Sequence, residues 1–358
     1  MEVLRSGGNA IDAAVAASAM LGVIEPHCTG IGGDCFAFAW VAKEQKLYAI
    51  NGSGHAPAGL SAQWLKDQGF TNIPGDSVHS VTVPGSVRAW DMLLKDYGTK
   101  SLREMLQPAI AAAEVGFPVA ERVAWDWRMF AHKLTAHQAT REQYLVEGGA
   151  PRTGMVRRDP LLAKTLRAIA AEGADTFYAG GVAADMVKTL TELGGRHEIA
   201  DFADWHPTHV EPLKTEYRGV EVYQIPPNGQ GVTASMMFNI LKGFDHSSFD
   251  PLGADRFHLQ VEAYRLAAAA REAYVADPDF AKVPVPEMLS EAYAEAMRAR
   301  IDMKRAMTDA VAQPIGPNDT VYLTTADAEG NFCSLINSIA GVFGSFIACP
   351  RTGVLFQN

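Results

Sequence analysis

Thr320, preceded by Asp319 at the head of the stretch 318–325, carries the most distinctive chemistry that the sequence offers. A threonine hydroxyl is a weak nucleophile at neutral pH, but an N-terminal threonine supplies a general base from its own α-amine. That amine is tied up while the Asp319–Thr320 peptide bond stands. A self-cleaving junction here would therefore make the intact chain an inactive precursor and create the nucleophile on cleavage. Val321 to Thr325 is rich in β-branched and aromatic residues and reads as a short strand, Ala326 to Asn331 as its turn, and Phe332 to Ser338 as the returning strand. Folding about Asp327 to Gly330 sets Thr320 opposite Asn337 or Ser338, according to a one-residue register. Either residue brings a hydrogen-bonding side chain beside the nucleophile.

The elements that must hold this hairpin are spread along the chain. The apolar run Ala13 to Ile24 follows Asp12, has no basic leader and is too short to span a bilayer, so it reads as a buried helix that Ser6 or Asn9 can cap. Asp34 to Val41 and Lys46 to Asn51 read as a strand pair ending in the turn Asn51 to Pro57. Apolar residues near a 3.6 period predict helices over Val87 to Tyr97, Leu102 to Val115, Pro160 to Ala171 and Gly181 to Leu193. Gly219 to Ile225 returns to strand character, a Pro/Gly loop at 226–231 follows, and helices are expected over Val232 to Leu241 and Arg256 to Tyr274. With no repeat and no Ser/Gly linker, the expectation is one intertwined domain.

Composition narrows the functional classes. Of 358 residues, 48% are hydrophobic and 20% charged, a globular balance with ample core material. The net charge of -10, without a basic run or stripe, argues against a nucleic-acid partner, and nothing in the pattern calls for a membrane. Cys28, Cys35, Cys333 and Cys349 lie in apolar or small-residue contexts without CxxC spacing, which reads as mostly buried thiols and favours a reducing, cytoplasmic compartment, with a periplasmic or secreted one open if a leader precedes the chain. No cofactor or metal is called for. Gly30-Ile31-Gly32-Gly33 reads as a packing turn because no Lys-Ser/Thr follows it. His206 and His209 flank a proline that breaks any shared metal-facing helix surface, and Glu262 and Asp277 read as structural.

Ordered matches along the whole chain then carry a resemblance. Gly7 to Ala17, Glu25-Pro26-His27 with Gly30 to Gly33, Val83 to Val87, Gly116 to Val119, Gly173 to Tyr178, Glu211-Pro212-Leu213, Tyr217-Arg218-Gly219, Phe343-Gly344-Ser345 and Gly353 to Asn358 resemble the γ-glutamyltranspeptidase family in order and spacing. The resemblance implies an N-terminal-nucleophile hydrolase, an α/β four-layer αββα sandwich. Such a protein is a precursor cut into a large region, here 1–319, and a small one beginning at 320. It places Thr320 on the catalytic threonine, Asp327, Gly330 and Asn331 on the following turn, and Ser338 on a position where the family usually has a second, supporting threonine. The implied reaction is attack of Thr320 on a small-molecule amide, an acyl-enzyme, and release to water or an amine acceptor, with an oxyanion hole supplying part of the rate.

Three departures from the family pattern stand out, and the first two, at Ser53–Gly54 and at Ala340, bear on the substrate. Where the family's transpeptidases carry Arg-Glu before Ala-Pro, with arginine gripping a substrate α-carboxylate, this chain has Ser53 and Gly54, followed by His55. Serine cannot reproduce a guanidinium fork, although Ser53 and His55 can hydrogen-bond a small carboxylate or amide, and with Asn337 they are the candidate substrate-binding residues. The family's asparagine two positions past the supporting hydroxyl is Ala340, and its usual histidine two past the nucleophile is Tyr322. The substrate class thus spans γ-glutamyl compounds such as glutathione and other small amides, and the Asn51 to Gly54 turn resembles that of oxamate-amidohydrolase-like members. By the same resemblance, the acidic residues that bind a substrate amine and the paired glycines of the oxyanion hole lie past the Gly353 to Asn358 segment. The chain is therefore expected to be short at both ends and to require a further small-subunit segment, with homo-oligomerisation open. The competing reading is a catalytically incomplete fragment or an assembly subunit.

Overall fold

Asn9, rather than Ser6, starts the first long helix, Ala10–Ile24. The Asn9 side chain accepts from Asp12 N–H at 3.0 Å while the Asp12 carboxylate accepts from Asn9 N–H at 2.8 Å. This reciprocal cap satisfies two backbone donors that the helix itself leaves open. Asp12 is fully buried and also takes Thr99 N–H, Thr99 Oγ1–H and Lys100 N–H, so one carboxylate ties the helix start to the loop leading into Leu102–Val115. The computed structural model describes residues 1–308 and 320–358.

The central sheet has five strands in the order Thr208–Val210, Lys46–Gly52, Asp34–Val41, Phe332–Ser338, Val321–Ala326. Asp34–Val41 pairs antiparallel with both of its neighbours, and the hairpin strands pair antiparallel with each other. Side chains alternate across such a sheet. One face presents Cys35, Ala37, Ala39, Cys333, Leu335 and Asn337, all buried, and the helices Ala10–Ile24 and Ser86–Tyr97 pack on the sheet. Leu102–Val115 packs on the first of these helices and Pro160–Glu172 packs on Leu102–Val115. The other face carries half-buried Phe36, Phe38 and Trp40 beside exposed Tyr322, Phe332 and Ile336. Among the described residues there is one five-stranded sheet accompanied by two two-stranded ribbons.

The expected helices and strands form with their ends within a few residues of the sequence reading, the periods and caps being local properties. The chain forms two compact units, 1–209 with 317–358, and 210–316. The first unit is assembled from both sides of the 319/320 position, so the terminal hairpin belongs to the same body as the N-terminal helix. The second unit has its own cores, Val232, Met236, Ala267, Ala270 and Met288 in one and Ile240, Leu241, Leu259, Ala263 and Leu266 in the other. Its ribbon, Leu213–Tyr217 with Val220–Gln224, turns through Arg218 and Gly219 at φ 54° and 83°, the two-residue geometry that suits strand twist. Glu262 is buried there, accepting from Arg265 and Met307 N–H. That arrangement agrees with a structural role. No linker marks the division, because it arises from nonlocal packing. Among the described residues no helix is long and apolar enough to cross a membrane.

Candidate functional site

The hairpin register places the threonine. Val321 pairs with Asn337, so Thr320, one residue earlier, falls opposite Ser338, and the Thr320 and Ser338 hydroxyl oxygens lie 3.1 Å apart. Ser338 Oγ also accepts from Ala340 N–H at 2.9 Å, which orients the serine from the chain that follows it. Ala340 holds φ at 65°, in the left-handed region that disfavours a residue with a Cβ. Thr320 is exposed. Asp319, and with it the expected cleavage junction, lies outside the described residues.

The far end of the hairpin is anchored by the turn. The Asp327 carboxylate accepts from Asn331 N–H and Asn331 Nδ2–H at 2.9 Å each and from Ala10 N–H at 3.0 Å, at the start of the first long helix. Thr325 Oγ1 donates to Ala10 O at 2.7 Å, and Asn331 Oδ1 accepts from Ala42 N–H at 2.9 Å. Partial burial pushes the Asp327 carboxyl upward, but its donors hold it below the usual carboxylate range.

Pleat parity separates Asn337 from this group. Its fully buried amide points to the opposite face, donating to Thr29 Oγ1 at 2.9 Å and Gly30 O at 3.1 Å. The structure therefore brings Ser338 to Thr320 and directs Asn337 into the core. Ser53 donates from Oγ to Asp34 Oδ2 at 3.2 Å, and its carbonyl accepts from Trp205 Nε1–H at 3.2 Å. His55 is exposed, and its carbonyl accepts from Val83 N–H at 2.9 Å. Gly54 between them lies so close to the neighbouring chain that an added Cβ would meet Val83 O at 1.5 Å. This turn has no room for the acidic residue found there in the transpeptidase pattern. Gly33 is equally confined, its Cβ position being 2.0 Å from Ser338 O, which accords with a packing role for the glycine loop.

Asp34 is the site residue that the sequence reading passed over. It is the register partner of Ser338, on the side away from Thr320, so Asp34, Ser338 and Thr320 form one row across three strands. Its Oδ1 accepts from Gly54 N–H at 2.9 Å, Gly85 N–H at 3.2 Å and Gln357 Nε2–H at 2.9 Å. Burial drives the carboxyl up to about 6, and the hydrogen bonds from Gln357, Gly54, Ser53 and Gly85 oppose that rise without cancelling it. A carboxylate at the head of an otherwise apolar strand was the available signal. Its partners at positions 53, 54, 85 and 357 become visible only in the fold. Gln357 also donates its backbone N–H to Gly32 O at 3.0 Å, and Asn358 Oδ1 accepts from Gly341 N–H at 2.7 Å, so the last residues close against the row.

Among the described residues no group of three or more His, Cys, Asp or Glu side chains is placed to hold a metal. His209 pairs instead with Asp96 at 2.9 Å, and all four cysteines are buried. Burial raises the Cys333 thiol to about 12 and Cys35 well above its ordinary value, leaving both neutral at physiological pH and poor nucleophiles.

Comparison with known proteins finds relatives over the whole of this chain. The family model described as Gamma-glutamyltranspeptidase matches residues 1–358. A glutathione hydrolase-like YwrD proenzyme of Bacillus subtilis is 36% identical over 357 residues, covering 99% of this chain and 67% of that protein. An oxamate amidohydrolase proenzyme of Klebsiella pneumoniae is 33% identical over 368 residues, covering 100% and 68%. Among solved structures, cephalosporin acylase from Bacillus halodurans superposes with a TM-score of 0.91 at 38% identity, covering 99% of this chain and 66% of that one. The chain thus spans about two thirds of the length of the relatives it matches.

Proposed function

Because the chain belongs to the γ-glutamyltranspeptidase family, with a mixed α/β fold of that type, we propose that it is a self-processing threonine amidohydrolase in which Thr320 is the nucleophile. The observation that carries this reading is the Thr320 hydroxyl at the head of its strand, 3.1 Å from the Ser338 hydroxyl. Cleavage of the bond between Asp319 and Thr320 frees the threonine α-amine, which takes the hydroxyl proton as Oγ1 attacks an amide carbonyl. The leaving amine departs, and water or an acceptor amine releases the acyl group from Oγ1. Ser338 keeps the threonine hydroxyl oriented through this cycle. Residues 1–319 form the large region of the precursor and residues from 320 the small one.

We assign the half-exposed aromatic face of the sheet to the interior of a four-layer αββα sandwich. Phe36, Phe38 and Trp40 supply an apolar surface suited to a second sheet. The substrate is a small amide. Ser53 is committed to Asp34 and Trp205, and neither Ser53 nor His55 offers the paired donors that grip a free α-carboxylate. A γ-glutamyl compound therefore loses a charge-assisted contact here, which favours other acyl groups.

Intact mass and N-terminal sequencing of the full-length protein test the reading. A new N-terminus at Thr320, absent in Thr320→Ala, supports it. An uncut protein without amidase activity overturns it in favour of a non-catalytic assembly role. Hydrolysis of a γ-glutamyl anilide, oxamate and simple acyl amides then ranks the substrates, and efficient γ-glutamyl turnover would refute the weight given to Ser53.

A further inference from the structure

The row that holds the nucleophile continues past Ser338 to Asp34, a carboxyl with no cationic partner among the described residues. Asp34 is the register neighbour of Ser338, and adjacent strands lie roughly 4.8 Å apart, so Asp34 stands two spacings, about 10 Å, from Thr320 along the row. An acyl chain of roughly five carbons anchored at Thr320 Oγ1, together with the reach of the Asp34 side chain itself, covers that span. The two carboxylate oxygens are unequal. Oδ1 is filled by the N–H donors of Gly54, Gly85 and Gln357, whereas Oδ2 holds the Ser53 hydroxyl at 3.2 Å. All four of these partners are neutral.

The charged and titratable groups on the surrounding elements do not neutralise Asp34. Arg88, on the helix Ser86–Tyr97, donates to Asp175 at 3.1 Å and to the carbonyls of Phe202, Ala203 and Trp205 while stacking over Tyr178. Burial raises the Tyr178 hydroxyl and the Cys35 thiol, so both are neutral at physiological pH. His55 is exposed, one residue past Gly54.

We propose that Asp34 is the specificity-determining residue of this site, accepting a hydrogen-bond donor or a cation at the far end of the acyl group through Oδ2 and repelling a carboxylate there. The proposal rests on Thr320 being the nucleophile and adds the polarity of the acyl group. An arginine at the Ser53 position would select a carboxylate, whereas a carboxylate in the neighbouring row selects its opposite.

Three p-nitroanilides of matched length, ending in a carboxylate (glutaryl), a carboxamide (4-carbamoylbutanoyl) and an ammonium (5-aminopentanoyl), test this in the full-length protein through kcat/KM. At pH 8 the carboxamide and ammonium substrates are expected to exceed the glutaryl one by about tenfold or more, the scale of a like-charge juxtaposition. Asp34→Asn should narrow the glutaryl-to-carboxamide gap by about the same factor, and Asp34→Glu should preserve it. A second measurement needs no variant. The glutaryl-to-carboxamide ratio in the native protein should rise as pH falls through about 6, where Asp34 protonates, and the titration of the Thr320 amine cancels because both substrates share it. Equal cleavage of all three, or a ratio flat in pH and unmoved by Asp34→Asn, would overturn the Asp34 assignment while leaving Thr320 intact. A protein that cleaves none of them and keeps the 319–320 bond would overturn the nucleophile reading and this proposal together.

Discussion

Replacing Asp34 by Asn is expected to stabilise the protein at neutral pH, an unusual outcome for removing a carboxylate with several hydrogen-bond donors. The Asn side chain is isosteric. Its Oδ1 can keep Gly54, Gly85 and Gln357 as donors, and its Nδ2–H can donate to Ser53 Oγ. What disappears is the cost of holding a charge in a half-buried position. The native carboxyl is raised from 3.8 to about 6 by burial. At 1.36 kcal/mol per unit, that rise corresponds to about 3 kcal/mol between the protonated and ionised forms. The sign follows from linkage. A carboxyl whose pKa is raised on folding binds its proton more tightly in the native state, so its contribution is fully present below pH 4 and is lost as pH rises through about 6. At pH 8 the wild type has lost that contribution and the Asn variant has nothing to lose.

The difference between variant and wild type should therefore be about 1–3 kcal/mol in favour of Asn at pH 8, the lower figure allowing for burial of the amide, and should shrink towards zero near pH 4. Urea titrations across that range measure it, performed in a Thr320→Ala background so that the polypeptide stays single. Tryptophan fluorescence is the appropriate probe because all six tryptophans lie within 1–209 and report on the first unit. Other titrating groups cancel in the difference. A gap that does not vary with pH, or an Asn variant less stable than wild type at pH 8, would refute the reasoning, because either result means that Asp34 is not a carboxylate strained by burial.

Two further outcomes concern Ser338 and Ala340. Ser338→Ala removes the hydroxyl 3.1 Å from Thr320 Oγ1 and leaves Ala340 N–H without its acceptor. At about 0.5–1.5 kcal/mol per hydrogen bond, kcat should fall between about twofold and tenfold with KM little changed, and Ser338→Thr should retain activity; steady-state kinetics on the best amide substrate checks both. Ala340→Asn places a residue tolerant of the left-handed region where φ is 65°. It should raise stability by about 0.5–1 kcal/mol in a urea titration, whereas Ala340→Val should lower it by more than that.

What could be read from the sequence was what depends on neighbours along the chain. A cap at Ser6 or Asn9, the alanine-rich helix, the strand 34–41 and the hairpin 321–338 follow from local composition and period, and the observed strands start and stop close to those expectations. The proximity of Ser338 to Thr320 was partly legible, since the turn limited the register to two choices. Asp34 was not legible as a site residue, because its four donors come from two separate loops and the far end of the chain. Nor was the division at 209/210, which follows from which helices bury one another rather than from any linker composition.

The choice between Asn337 and Ser338 shows why a single residue of register carries so much of the site. A slip of one position would turn Ser338 into the core and bring Asn337 opposite Thr320, exchanging a hydroxyl for an amide and exposing what Thr29 and Gly30 now bind. The Thr320–Ser338 contact alone does not forbid this, being one exposed hydrogen bond, whereas the buried Asn337 amide resists it. A second constraint lies at the other end of the hairpin, about 20 Å away at roughly 3.4 Å per residue. There Asp327 holds Ala10 N–H, Thr325 holds Ala10 O, and Asn331 holds Ala42 N–H. A slipped strand would have to break these contacts with the helix Ala10–Ile24 and with the turn after Asp34–Val41. The helix Ala10–Ile24 also packs on the strand Phe332–Ser338, in which Cys333 and Leu335 are buried. The residue opposite Thr320 is thus selected in part by an anchor that does not touch Thr320, and the polar turn residues from Asp327 to Asn331 help to set its pairing with Ser338.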